Sequence, residues 1–159
     1  MIRKHKKYSR PRKLYESQRI ADENALVESY GLKNKREIWR TEARVRYFRT
    51  RAKQLITAKQ QEQEALFGKL RTLGLNVNSI ADVLALNKED LLKRRLSSIL
   101  VSKNMATTHK QARQMITHKR VSLGGTVVSS PGYLVPVSDE KGISLKAAKI
   151  PVQKAKGAE

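Results

Sequence analysis

Between Asn87 and Val135 the apolar residues change period, and this change limits the folds open to the chain. Leu92, Leu96, Ile99 and Leu100 recur at i, i+4, i+7 and i+8, which predicts one helix with a single apolar face. Asn87, with Asp90 three positions on, predicts an N-cap followed by an acidic first turn. A second helix is predicted from Thr108, where a hydroxyl at the N-cap and Gln111 at N3 fit a capping box, and where Ala112, Met115 and Ile116 form the buried face. Val121 and Leu123 then alternate with Arg120 and Ser122, a period of two that predicts a half-buried strand. Gly124-Gly125 supplies the positive φ angles of a tight turn into a partner strand at Thr126–Val128.

Helix, helix and hairpin are thus packed into one short stretch, with basic residues at the junctions. Beyond Ser-Ser-Pro-Gly, Tyr133–Val137 predicts an edge strand, because Pro136 cannot donate to a ladder. Ile143 and Leu145 predict one more strand.

The preceding part is helical. Leu14–Tyr30 predicts a short amphipathic helix docked through Ile20, Leu26 and Val27 and ended by Gly31. The longest helix is predicted over Asn34–Thr57, with Asn34 and Glu37 as a cap pair and Ile38, Val45, Phe48, Ala52, Leu55 and Ile56 buried. Another side of it carries Arg36, Arg40, Arg44, Tyr47 and Arg51 at steps of three or four. Like charges at that spacing repel by roughly 0.2–0.5 kcal/mol per pair, so a helix that holds several of them suits a phosphate-rich partner. A solvated charged face is the ordinary alternative. Here Glu42 is the only carboxylate among these arginines past the first turn.

Gln60–Leu73 predicts a further helix, paired with the long one as an antiparallel hairpin, and Ser79–Leu86 a short linking helix.

The chain carries 34 Lys+Arg against 14 Asp+Glu, a net +20 over 159 residues. That excess points to a polyanionic partner, nucleic acid before membrane. No apolar run approaches the roughly 20 residues needed to span a bilayer. No apolar segment follows the basic start, so no secretory signal is expected. Without cysteine there is neither a disulfide framework nor thiol-based zinc chemistry. His5, His109 and His118 have no acidic partners at metal spacing, and no phosphate-cradling Gly-rich loop occurs. Asp82, Glu89 and Asp90 lie at helix starts, which explains them better than acid–base work. No catalysis, cofactor, metal or small-molecule substrate is expected.

Several segments resemble the S-four RNA-binding domain of the small-subunit ribosomal protein S-four family. They are Arg94-Arg95-Leu96, the run from Thr108 through Lys110, Gln111, Ala112, Arg113 and Gln114 to Ile116, His118, and the strand and turn from Val121 to Gly125. Lys119 stands where that family usually ends the second helix with glycine, so a left-handed lysine is expected there. The segment YGLKNKREIWR (Tyr30 to Arg40) resembles the archaeal and eukaryotic branch of the same family. The resemblance implies an α+β fold: a basic arm over residues 1–13, a helical domain over 14–86, the S-four domain over 87–137, and a possible last strand with a flexible basic tail over 138–159.

The resemblance places RNA contacts at Arg95, Lys103, Lys110, Arg113, Gln114 and His118. Arg94, Thr108, Lys119 and Arg120 complete the candidate surface on the domain, where arginines suit bidentate phosphate contacts. The arm adds Lys4, Lys6, Lys7, Arg10 and Arg12, with Tyr8 for stacking. The implied partners are small-subunit ribosomal RNA at a multi-helix junction and neighbouring ribosomal proteins, including the S-five protein beside the messenger entry channel. The implied location is the cytoplasmic ribosome. A free-standing RNA chaperone or ribosome-associated quality-control factor could use the same domain. An RNA-modifying enzyme would need a separate catalytic domain, and a membrane-surface protein fits the polar arginine helix poorly.

Overall fold

The computed structural model describes residues 7–146. Lys4 and Lys6 of the arm and the basic tail from residue 147 onward lie outside this range. The elements in order are α1 (Ser17–Ser29), α2 (Lys35–Gln54), α3 (Gln60–Thr72), α4 (Ile80–Ala85), α5 (Lys88–Lys93), α6 (Leu96–Ser102), α7 (His109–Thr117), β1 (Val121–Leu123), β2 (Thr126–Val127), α8 (Val137–Glu140) and β3 (Ile143–Leu145). The fold is α+β: helices first, then a small antiparallel sheet ordered β2-β1-β3.

Local signals act where they were expected. Asn87 donates its N–H to Asp90 at 2.8 Å, and Ser79 donates its N–H to Asp82 at 2.9 Å. Each carboxylate thereby satisfies an N–H at a helix start that would otherwise have no partner. Gly124 and Gly125 take φ of 52° and 84°, the left-handed pair that a two-residue hairpin turn requires. The Thr108 hydroxyl accepts the Gln111 N–H at 3.2 Å. The Gln111 side chain reaches back one residue further than a capping box requires, accepting from the Thr107 N–H at 2.8 Å.

The first helix of the expected pair is broken in two. After α5 the backbone turns extended at Arg95 (φ −72°, ψ 147°), and α6 begins afresh at Leu96. The break frees backbone groups for tertiary pairing. Leu96 donates to Tyr133 O at 2.8 Å and Val135 donates to Arg94 O at 3.2 Å, so Arg95 and Leu134 face each other as a bridge. The edge strand expected over Tyr133–Val137 shrinks to this bridge. Pro136 instead precedes the short helix α8. Strand β1 also departs from half-burial: Ser122 is buried with its neighbours, its hydroxyl 2.8 Å from that of Ser144.

The core divides into three clusters. Val45 and Ala52 of α2 and Leu55 just after it meet Leu66, Phe67 and Leu70 of α3 and Val83 of α4. Leu96, Ile99 and Leu100 of α6 meet Ala112 and Ile116 of α7 and Val121 and Leu123 of β1. In the third, Ile38 and Leu92 join Leu32, with Leu26 and Val27 packed alongside. Helix α2 lies closest to α4 and α5. It also shares a core with α3. Ile56, expected in the core, is 56% exposed just beyond the end of α2.

Lys119 takes φ of 58°, as its place after α7 demanded. A left-handed non-glycine residue costs roughly 1–2 kcal/mol. Lys119→Gly should therefore stabilise the protein by about 1 kcal/mol, raising the melting temperature by about 3 °C. Differential scanning calorimetry at fixed pH and salt checks this.

Candidate nucleic-acid interface

The first turn of α2 carries Glu37 into the gap between the helical part and the domain that follows. Its carboxylate accepts from Arg95 Nη2 at 2.5 Å, from Arg113 Nη2 at 2.9 Å and from Arg113 Nη1 at 3.3 Å. Glu37 was expected to cap α2 with Asn34, but Asn34 makes no side-chain cap bond. Two guanidinium donors hold a carboxylate more strongly than one backbone N–H does. Burial pushes the Glu37 carboxyl up, and the bonds from Arg113 and Arg95 outweigh it, leaving the group below its ordinary value.

A second tie lies beside the first. Gly31 ends α1 at φ 56°, and a Cβ there would meet the Cβ of His109 at 2.9 Å. The α1–α2 corner therefore sits directly on the first turn of α7, with Arg113 Nη1 also 3.4 Å from Gly31 O. The Tyr30 and His109 rings lie 5.7 Å apart, tilted against each other. Burial lowers the His109 pKa, with the Arg95 charge as the second cause.

Arg94, Arg95, Arg113 and Lys103 thus commit donors within the protein. The Arg95 side chain is only 6% exposed. Arg94 pairs with Glu140 at 3.0 Å, donates to Val135 O at 3.1 Å and lies against Gly74, while Lys103 Nζ donates to Glu140 O. These groups form a set of internal ties. Sequence reading missed this because every acceptor is distant along the chain.

The other candidate residues remain open to solvent and form two groups. On α7 and just beyond it, Lys110, Gln114, His118, Lys119 and Arg120 are exposed, and Gln114, His118 and Arg120 line a cleft of about 250 Å³. On α2, Arg36, Arg40, Arg44, Tyr47 and Arg51 are all exposed, as their spacing predicted. Arg40 and Arg44 line a second cleft of about 390 Å³, whose other wall includes Arg113 and the 130–132 loop. This cleft joins the α2 row to the domain face. Thr108 is occupied as the α7 cap. From the arm, Lys7, Arg10 and Arg12 are exposed. Tyr8 is half-buried, 6.1 Å from Trp39 and beneath Arg40 at 5.7 Å, so its ring packs on the protein.

Missed as well was Glu23, 4% exposed, which accepts from Arg19 at 2.7 Å and from the Trp39 indole N–H at 3.0 Å. This network fixes α1 on α2. The pair lies at i and i+4 of one helix, but nothing local marks Glu23 for burial. Among the described residues, no group of three or more His, Asp or Glu could hold a metal ion, and no helix is long and apolar enough to cross a membrane.

Residues 94–141 match the S4 domain family. The chain is 43% identical over 146 residues to the small ribosomal subunit protein uS4 of Methanococcus aeolicus, covering 87% of this chain and 82% of that protein. It is 42% identical over 149 residues to the protein of the same name from Thermoplasma acidophilum, covering 88% and 75%. To that of Methanothermobacter thermautotrophicus it is 42% identical over 146 residues, covering 87% and 84%.

Glu37→Gln keeps the shape of the side chain and removes its charge, leaving Arg95 buried without a counter-ion. The expected cost is about 3 kcal/mol, read from urea unfolding at neutral pH. The Glu37 carboxyl titrates lower when folded than when unfolded. Its contribution is therefore fully present above its ordinary value of 4.5 and is lost as pH falls through the folded value. Stability plotted against pH should accordingly fall less steeply below pH 4.5 in the Glu37→Gln variant than in the wild type.

Proposed function

The chain belongs to the small ribosomal subunit protein uS4 family, and on that footing we propose that it is a structural constituent of the small subunit that binds ribosomal RNA. The observation that carries this reading is the placement of charge. The arginines of the S4 domain that pair inside the protein fix two cationic surfaces, the α2 row and the outer side of α7, at a set distance and angle. A-form RNA hides its base edges in a deep, narrow groove, so recognition relies on phosphates, 2′-hydroxyls and the shape of junctions. Two rigidly related cationic surfaces suit a multi-helix junction better than a single duplex.

In this reading Arg36, Arg40, Arg44 and Arg51 meet one RNA helix, with Tyr47 among them. Lys110, Gln114, His118, Lys119 and Arg120 meet another. The partly exposed Arg113 lies in the cleft between the two. Lys7, Arg10 and Arg12, and beyond the described residues Lys4 and Lys6, extend the grip through the arm. Arg94, Arg95, Lys103 and Thr108 act through the shape they hold. The protein carries out no chemistry of its own, and it nucleates assembly around the junction in the cytoplasm. Its neighbours include the S-five protein at the border of the messenger entry channel.

The alternative, a ribosome-associated quality-control factor built on the same domain, differs in stoichiometry. Sedimentation of the native protein should show one copy per small subunit retained through a high-salt wash. Substoichiometric, salt-released protein would favour the alternative. Arg40→Ala with Arg44→Ala should weaken ribosomal RNA binding and lower the salt slope by about 1 for each phosphate no longer neutralised, measured by filter binding across a salt series. Circular dichroism should be unchanged, because both side chains are exposed.

A further inference from the structure

A cleft of about 690 Å³ opens on a different side of α2, between that helix, α1 and arm residues 9–12. It shares no residue with the cleft beside Glu37. Its volume falls within the roughly 300–1,000 Å³ typical of small-ligand sites. Ile38 and Val45, both buried, lie along it with the half-buried Trp39. The Trp39 indole N–H is fixed to Glu23, so the ring is held in place.

Most of the rest of the lining is charged: six basic residues against three acidic ones. Two of the three carboxylates are already engaged. Glu23 pairs with Arg19 at 2.7 Å, and Glu42 with Arg46 at 3.2 Å. Among the described residues, no ion pair involves Arg10, Arg12, Arg49 or Lys88. Arg49 donates to Leu86 O at 2.6 Å through Nη2, while its Nε is buried without a partner.

An aromatic ring and apolar residues bordered by unpaired cations make a site for a group with a flat face and an anionic end. Inorganic phosphate would leave the apolar part unused, and an apolar peptide would leave the cations unused. We propose that this cleft takes one unpaired nucleotide of the bound RNA, its base against Trp39 and its phosphate among Arg10, Arg12 and Arg49. The inference rests on the RNA-binding reading and adds to it a site that reads single-stranded RNA. Unstacked bases in loops and bulges are commonly held in this way, on aromatic rings with basic residues alongside.

The chain has one tryptophan, so its fluorescence reports this cleft directly. The full chain is titrated, at moderate salt, with a short single-stranded RNA, the same RNA as a duplex, a nucleoside monophosphate and inorganic phosphate. The single strand should quench Trp39 saturably, while duplex and phosphate should not. Arg10→Ala with Arg12→Ala, both exposed positions, should weaken the single-strand response by about tenfold. Lys69→Ala, an exposed cation on α3 outside the cleft lining, should leave it unchanged. The proposal is overturned if the single strand leaves Trp39 silent, if duplex or phosphate quenches equally, or if the double variant responds like wild type. Quenching by the free monophosphate as tight as by the strand would overturn the assignment to RNA. Filter binding of ribosomal RNA by the same samples separates the two readings. RNA bound with Trp39 silent removes only this inference, whereas failure to bind ribosomal RNA removes the functional reading itself.

Discussion

One carboxylate, Glu37, neutralises two arginines that would otherwise be partly or wholly buried without a counter-charge. Arg95 cannot be placed at 5% exposure without a partner, because an isolated buried guanidinium costs several kcal/mol. Its position follows from the backbone break between α5 and α6, which the bridge to Leu134 stabilises. Arg113 follows from the α7 cap at Thr108, which sets the helix phase. The α1–α2 corner must then lie against α7, where Gly31 alone leaves room. The relation between the helical part and the S4 domain depends on this chain of requirements.

The same arrangement explains how so basic a chain sorts its charge. Arginines with carboxylate or carbonyl acceptors at hand (Arg19, Arg49, Arg94, Arg95 and Arg113) hold the structure together. Those of the α2 row face water. Diffuse positive charge supplies attraction to any polyanion. Only a fixed geometry of that charge can favour one folded RNA over another, and the internal arginines supply that fixity. Charge and rigidity are therefore contributed by different members of one residue type.

Local chemistry was readable in the sequence and distant chemistry was not. Asn87 with Asp90, Ser79 with Asp82, Gly124-Gly125 and the left-handed Lys119 each depend on neighbours within a few residues, and all were legible. The α2 arginine row was legible because helical period alone places it on one side. Glu37 was misread as a cap because its partners lie 58 and 76 residues away. The break at Arg95 was hidden because Leu92 and Leu96 keep helical spacing across it. The pairing that causes the break comes from Tyr133–Val135, read instead as a free edge strand. Burial of Arg95, unlike its charge, leaves no mark in the sequence. Arg94, Arg95 and Arg113 therefore looked available when they were already paired.

If Glu37 holds the two cationic surfaces in register, its loss should reduce selectivity more than attraction. The direct measurement compares binding of small-subunit ribosomal RNA and of an unstructured RNA homopolymer of equal length, for wild type and Glu37→Ala, at one salt concentration and at a temperature where both proteins are folded. The account predicts that wild type prefers the ribosomal RNA strongly, and that the variant keeps its homopolymer affinity while losing most of that preference. A folded variant that discriminates between the two RNAs as well as wild type does would contradict it.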